Sequence, residues 1–404
     1  MSAGPRVLVV HNRYRIAGGE ERSVDLQLRA LEAAGVEHAS FERRSADVGR
    51  AGAARALLRC GADPQELADA VRRLAGGGPA LVHAHNTVPL VGPAGLAAAR
   101  DAGAGVVLHL HNVRIFCSTG FGERDGGPCR RCRGRNTLPG LVLNCRRSLP
   151  EAVAYTAALS LHQPRLLDAV DRFVAPSAAA RDELAARGLP AERLEVLRHY
   201  LPADSFAERS AAGDGGYAFV ASRLSPEKGI EDALTACLTA RVPLRIAGEG
   251  PERERLERLA REAGATVAAA ARASDAPTSP PAAADVAFLG RLSAADVRRE
   301  LGGAGMVLMP SRYHEFSPYS ALEAMAAGVP VVATAMGGLP ELLGEDRCVA
   351  IGDIPSFAAR VAALWADPVG RAAEGDALIA RARERHSRER YTEDLLGLYA
   401  GLSG

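Results

Sequence analysis

Residues 329–334, Val-Pro-Val-Val-Ala-Thr, are short, apolar and largely β-branched, with no polar alternation. A run of this kind suits a strand covered on both faces, and such strands belong to parallel sheets whose crossover helices supply the cover. The residues before it fit that reading. Ser317 is a good N-cap, Pro318 fits the first helical position, and Tyr319 to Ala327 are fair to good helix formers. Gly328 and Pro330 then stop the helix. The segment His314–Glu341 therefore predicts loop, helix and buried strand, with Glu315 and Glu323 flanking the start of the helix. Amides and dipole at a helix N-terminus favour a bound anion, typically phosphate. From spacing alone, a solvated glutamate on an ordinary helix fits equally well.

The same alternation recurs along the chain. Strands are expected at Arg6–Val10, Ala80–His85, Val106–His111, within Val170–Ser177 and at Leu194–Leu197. A second series follows at Tyr217–Ser222, Pro243–Ala247, Val286–Leu292 and Met306–Ser311. Helices are expected from Gly19 to about Ala34, over 93–102, 151–161, 164–169 and 178–187, from Ile230, and through most of 371–402. Strand–helix–strand repeats mean a parallel sheet, with ligands outside the strand C-terminal ends. Between the two series, Pro202 to Gly216 is polar and rich in Gly and Ser, which predicts a linker. The expected division is an N-terminal domain over 1–200, a linker over 201–216, a second domain over 217–375 and a helical tail over 376–404 that packs back on the first domain. Ala268 to Ala284, rich in Ala, Ser and Pro, is expected to be a disordered surface loop.

Chemistry-bearing residues fall at predicted strand ends. Gly18-Gly19 follows the first strand and its loop and opens a helix, so backbone there can approach a ligand closely. His85, His109 and His111 sit at or near the ends of the next two strands, where a lone His is commonly a satisfied structural residue. Arg223 and Lys228, in Arg-Leu-Ser-Pro-Glu-Lys-Gly, follow the first strand of the second series. Two fixed cations at a strand end are what a diphosphate leaving group requires, although R-x4-K is also a common surface pattern.

At 404 residues the chain has room for two domains of ordinary size, and its net charge of +1 gives no global drive toward nucleic acid or membrane. No apolar run approaches the roughly 18 residues of a membrane span, and no signal peptide is visible. Seven cysteines without a secretory signal predict reduced thiols or a metal site in a cytoplasmic protein, at most peripheral to the inner face of a membrane. Four of them, Cys117, Cys129, Cys132 and Cys145, surround a CxxC knuckle, the usual nucleus of a structural zinc site. Reduced thiols in an insertion over 114–147, or a redox pair, are the alternatives. That segment also carries eight Arg against Glu123 and Asp125, a local charge of 8 − 2 = +6. It fits an anionic or lipid-linked partner or a membrane surface, or simply a solvated loop. It lacks the interleaved aromatics of a base-stacking platform, so no nucleic acid is expected.

Glu315 and Glu323 stand as E-x7-E, followed by Glu-Ala-Met-Ala-Ala-Gly-Val-Pro-Val-Val-Ala-Thr and Gly-Gly-Leu-Pro-Glu. This pattern resembles the signature of the retaining glycosyltransferases of family four, and Arg223–Gly229, Ile246–Pro251, the Gly-Gly-x-Glu turn and the Leu-His-Leu-His-Asn strand end resemble their other motifs. The resemblance implies a GT-B fold of two Rossmann-like domains facing a cleft. It implies a nucleotide diphosphate sugar donor, with UDP or GDP as the nucleotide, and a hydroxyl acceptor such as a lipid-linked saccharide, a polysaccharide or a secondary metabolite. Arg223 and Lys228 would stabilise the leaving diphosphate, and Glu323 would hold the ribose. Glu315 with Phe316, Ser317, Pro318, Tyr319 and Ser320 would orient the sugar and phosphate. Gly290 would lie in the loop that contacts the nucleobase. Gly18 and Gly19 would lie at the cleft, binding the donor where the acceptor hydroxyl enters, His111 would be the active-site histidine, and His85 would be a weaker candidate on the acceptor side. No cofactor is expected in the chemistry. A cysteine cluster after the His-Asn motif occurs in a subset of similar transferases. Many members carry Gly soon after the first Glu, where this chain has Phe316–Tyr319, so the sugar is left open. Competing readings are a glycosidase using the two glutamates, a GT-B enzyme that transfers nothing, such as a nucleotide-sugar epimerase, and a zinc-stabilised binding protein.

Overall fold

A computed structural model describes residues 6–14, 18–76, 78–269 and 285–402. The chain divides into two compact units. The first comprises residues up to Gly122, Cys129–Tyr200 and the segment from Arg388 onward; the second comprises Glu123–Pro128 and Leu201–Ser387.

The first unit is built on β1 (Arg6–Arg13), β2 (His38–Arg44), β3 (Ala80–Ala84), β4 (Ala104–His109), β5 (Arg172–Ala175) and β6 (Leu194–Val196). They lie in the order β2-β1-β3-β4-β5-β6, and every neighbouring pair is parallel. All five residues of β3 are buried, as a strand with helices on both faces requires. β1 runs three residues beyond the expected Val10, because His11, Asn12 and Arg13 continue the ladder with β2 at Glu42, Arg43 and Arg44.

The expected break before Pro164 does not occur: one helix spans Leu149–Ala169 with Pro164 inside it. A proline has no N–H for the carbonyl four residues earlier. Here that carbonyl, on Ser160, accepts from Nε of Arg135 at 3.3 Å. The last helix, Arg388–Ala400, is part of this unit and buries Tyr391, Leu395 and Tyr399.

The second unit is built on β7 (Tyr217–Ala221), β8 (Leu244–Ala247), β9 (Val267–Ala269), β10 (Val286–Gly290), β11 (Ala304–Met309), β12 (Val331–Thr334) and β13 (Cys348–Val349). Their order is β9-β10-β8-β7-β11-β12-β13, again parallel throughout. Val220, Ile246, Phe288, Met306 and Val332 meet Ile230, Leu234, Phe357 and Val361 from the helices in one core.

The segment expected to link the domains is bonded into this unit. The Ser210 amide donates to Asp376 at 2.7 Å, and buried Arg371 donates to the Ala212 carbonyl at 3.0 Å. The helix Pro368–Arg385 runs through the expected tail boundary, and the division falls at Ser387–Arg388. Of the expected surface loop, 270–284 lies outside the described residues, as do 15–17 of the loop before Gly18.

Candidate functional site

In the second unit, β7 and β11 are parallel neighbours, so the loops leaving their C-terminal ends rise on the same side. The loop after β7 holds Arg223 and a short 3-10 turn, Pro226–Lys228. Gly229 follows with φ of +63°, where a Cβ would collide with the Pro310 carbonyl, so the loops approach as closely as backbone allows. The loop after β11 holds Ser311, Tyr313 and Glu315.

Lys228 reaches across to Glu315, Nζ to Oε1 at 2.7 Å, and to the Tyr313 hydroxyl at 2.9 Å. The Tyr313 hydroxyl donates to Oε2 of Glu315 at 2.8 Å, and the Ser311 hydroxyl donates to Oε1 at 2.7 Å. Both carboxylate oxygens are therefore held. Burial works against the charge on each member of the pair. The opposite charge outweighs it, so the Lys228 ammonium is raised above its ordinary value and the Glu315 carboxyl lowered below its own. Burial comes first among the causes that raise the Tyr313 phenol, followed by the Glu315 charge.

The backbone beneath Glu315 is fixed as well. Gly337 has φ of +60°, a Cβ there would collide with the Glu315 carbonyl oxygen, and the Gly338 amide donates to that oxygen at 2.6 Å. Ser222, Lys228, Ser311, Glu315 and Ser320 line a small cavity at this end of the sheet.

Arg223 is different in kind. Its side chain is 54 % exposed, and Nη2 contacts the buried Glu227 at 2.9 Å. Glu227 also accepts from Ser225 at 2.7 Å, so it steadies the base of the loop. The glycine-rich turn after β8 is tied to the same loop: the Leu224 amide donates to the Glu249 carbonyl at 3.0 Å, and the Gly248 amide to the Gly290 carbonyl at 2.7 Å. Gly290 ends β10.

The helix after Glu315 starts later than expected, at Tyr319, and ends at Ala326. Pro318 keeps an extended ψ of 127°, and its carbonyl is the first acceptor, taking the amides of Ala321 at 3.1 Å and Leu322 at 3.3 Å. Pro318 is therefore the cap position itself, and Ser317 lies outside it. Phe316 and Tyr319 are buried, while Ser317, Pro318, Ser320 and Glu323 are half-buried.

In the first unit, Gly18 and Gly19 are exposed at the start of the helix Gly19–Ala33. The Glu21 carboxylate accepts the Tyr14 amide at 2.9 Å and the Gly18 amide at 2.8 Å. Burial raises the Glu21 carboxyl, but contacts with His11 and these amides outweigh it, and the net direction is downward.

His111 is half-buried just beyond β4, and its Nε2 lies 2.9 Å from Nδ1 of His85. Nε2 of His85 is 2.9 Å from the Gln27 carbonyl oxygen, and the Gln27 amide donates to the Tyr399 hydroxyl at 3.0 Å. Because Gln27 Oε1 can only accept, His85 donates from Nε2 and accepts at Nδ1, which makes His111 the donor of their shared bond. Burial, then the neighbouring imidazoles, push His85, His109 and His111 well below the ordinary histidine value, so all three rings are neutral. Gln27 and Tyr399 carry no motif of their own. Only the helical period that turns them inward points to them.

The knuckle of the cysteine segment is also built from within this unit. Buried Arg187 pairs with Glu183 at 2.7 Å and donates to the carbonyls of Cys129 at 2.6 Å and Cys132 at 3.5 Å. Burial, followed by the charge of Cys117, raises the Cys132 thiol to about 11. Among the described residues, the four cysteines are not gathered into a group of ligand atoms within 4.8 Å of one another.

Two parallel-sheet Rossmann-like units, with cations and a carboxylate at the strand ends of the second, define a protein of the GT-B class. Solved structures agree on the fold. Anabaena HepE in complex with UDP and glucose aligns with a TM-score of 0.65 at 17% identity, over 98% of this chain and 100% of its own. Sucrose-phosphate synthase from Thermosynechococcus elongatus aligns with a TM-score of 0.68 at 17% identity, over 98% of this chain and 99% of its own.

The family model "Glycosyltransferase Family 4" matches residues 17–200, and "Glycosyl transferases group 1" matches 216–367. The chain belongs to the glycosyltransferases of family four. Glycogen synthase of Mycobacterium tuberculosis is 30% identical over 236 residues, 55% of this chain and 50% of that protein. A GDP-mannose-dependent phosphatidylinositol monomannoside mannosyltransferase of Mycolicibacterium smegmatis is 34% identical over 210 residues, 46% of this chain and 50% of that protein. The chain thus spans about half the length of these curated relatives.

Proposed function

We propose that this protein moves a hexose-type sugar from a nucleotide diphosphate sugar to a hydroxyl acceptor, with retention of anomeric configuration. The observation that carries the reading is the buried Lys228–Glu315 pair beside the exposed Arg223, all on loops at the C-terminal ends of β7 and β11. Arg223 and Lys228 stabilise charge as it grows on the departing diphosphate, the kind of electrostatic help that is usually the largest single contribution. Glu315, its oxygens held by Lys228, Tyr313 and Ser311, orients the sugar. The first amides of the helix Tyr319–Ala326 receive phosphate oxygens, and Glu323 takes the ribose hydroxyls. The Gly290 backbone meets the base. Gly18 and Gly19 of the first unit bind the donor where the acceptor hydroxyl enters, and His111 is the active-site histidine. The chemistry needs no cofactor.

The finer assignments extend the same reading. HepE forms complexes with UDP and with UDP-glucose, and the mannosyltransferase relative is named as GDP-mannose-dependent, which supports a UDP- or GDP-sugar donor. A lipid-linked or anionic acceptor is supported by the first unit's surface, where exposed Leu138, Val142, Leu149 and Val153 accompany Arg146 and Arg147. The same surface suits peripheral contact with the inner face of a membrane, and among the described residues no helix is long and apolar enough to cross one. Cys117, Cys129, Cys132 and Cys145 are the residues that would hold a structural zinc, since four thiolates around a CxxC knuckle make the closed donor set such an ion takes.

The deciding experiment is a screen of UDP-, GDP- and ADP-sugars for thermal stabilisation, followed by product analysis with the sugar that stabilises. One nucleotide series should raise the melting temperature. No response to any of them would defeat the donor assignment.

A further inference from the structure

β3 and β4 each end in His-x-His-Asn, at 83–86 and 109–112. The strands are parallel, with Val82 opposite Val106 and Ala84 opposite Leu108. Because side chains alternate along a strand, His83, His85, His109 and His111 all fall on one face. The rings form a stack, with centroids 5.0 Å apart for His83 and His85, 5.0 Å for His85 and His109, and 4.3 Å for His109 and His111. A packed apolar face would be cheaper than four imidazoles, so their nitrogens need an account.

Three of them converge. His83, His85 and His109 are no more than 1% exposed, and each offers a ring nitrogen within 4.8 Å of the others'. Nε2 of His83 and both nitrogens of His109 are buried with no hydrogen-bond partner among the described residues. A buried polar group left without a partner costs about 1–3 kcal/mol. We propose that His83, His85 and His109 form a metal site for an imidazole-preferring divalent transition ion, of which zinc is the representative.

The surroundings fit such a centre. A ligating histidine usually donates its second N–H to an oxygen that fixes the ring. Nδ1 of His83 lies 2.8 Å from the Tyr399 hydroxyl, which leaves Nε2 for the ion, and Nε2 of His85 lies 2.9 Å from Gln27. Nδ1 of His85 then exchanges its bond to His111 for the metal. Bonds of about 2.0–2.1 Å put tetrahedral ligands roughly 3.3 Å apart, so the rings close inward by small rotations. A donor set of neutral nitrogens without carboxylate selects zinc, copper, nickel or cobalt over magnesium or calcium. The site lies beside His111, and all its ligands belong to the first unit. It would tie the C-terminal helix, through Tyr399, to β3.

The test uses the full chain, stripped with a chelator and reloaded with Zn²⁺. Zinc-edge X-ray absorption should show a shell of nitrogen neighbours at about 2.0–2.1 Å. A shell of sulfur alone, or no retained zinc, overturns the proposal. In a second arm, Co²⁺ should give visible d–d bands, and His83→Gln should lose a part of them while any thiolate charge transfer from the cysteine segment stays unchanged. Because His83→Gln can fail to fold, the native protein is also challenged directly: excess Mg²⁺ should not displace the bound Co²⁺, and ready displacement sinks the assignment.

Discussion

Nζ of Lys228 lies 2.7 Å from Oε1 of Glu315, and the two side chains are 15 % and 5 % exposed. Removing one member leaves the other's charge buried, at a typical cost of about 3–5 kcal/mol. Lys228→Met and Glu315→Gln should therefore each abolish transfer and also lower the melting temperature. The double variant should recover much of the stability and none of the activity. Full activity in either single variant would remove both residues from the site.

The same pair sets a pH window. The Glu315 carboxyl is lowered in the folded protein, so its contribution is present above the unfolded value and lost as pH falls through the folded one. The Lys228 ammonium is raised, so its contribution is present below the unfolded value and lost as pH rises through the folded one. Native protein should hold a stability advantage over the Lys228→Met, Glu315→Gln double variant from mildly acidic to moderately alkaline pH, and lose it at both extremes. A difference that does not change with pH would show that the pair is not ionised.

Arg223 should separate catalysis from stability. Its guanidinium is largely exposed, and such contacts are worth only about 0.2–1 kcal/mol. Arg223→Ala should leave the melting temperature nearly unchanged while lowering turnover by about 10²–10³-fold. Arg223→Lys, which keeps charge but loses the planar fork, should fall between the two. Equal turnover in all three would mean that Arg223 does not meet the diphosphate.

Zinc at the cysteines should be structural. About one sulfur-bound zinc per chain is expected, and its removal should destabilise the first unit without weakening nucleotide binding. A purified protein with no sulfur-bound metal would overturn the zinc assignment.

The inner strands were legible because parallel strands buried on both faces leave an apolar signature, as in Val106–Leu108 and Val331–Thr334, whereas the edge strands His38–Arg44, Val267–Ala269 and Cys348–Val349 leave none and were not expected. The placement of Lys228, Arg223 and Glu315 at strand ends was legible, while the roles proposed for them came from the family resemblance. The partners that fix these residues were not legible. Tyr313 and Ser311 reach Glu315 only once the two loops are folded together, and Gly337 matters through a backbone approach that no spacing rule encodes. Pro164 misled for a related reason: a local rule predicted a helix break, and Arg135, far away in sequence, satisfies the carbonyl that the proline leaves. The two His-x-His-Asn runs were visible singly, but their convergence depends on the β3–β4 register.

Tyr399 offers a check on that convergence. Its hydroxyl accepts from the Gln27 amide at 3.0 Å and shares a proton with Nδ1 of His83 at 2.8 Å, all in the interior of the first unit. Tyr399→Phe keeps the ring's volume and strands two polar groups, which should cost about 1–3 kcal/mol. The loss should appear in the unfolding of the first unit, since two units need not melt in one step. The stabilisation given by a nucleotide should be unchanged, because Arg223, Lys228, Glu315 and Glu323, assigned to the diphosphate, sugar and ribose, all belong to the second unit. A variant that melts like the native protein would show that the Gln27–Tyr399–His83 bonds contribute nothing. A variant that loses its nucleotide response would show that the donor site depends on the first unit's interior.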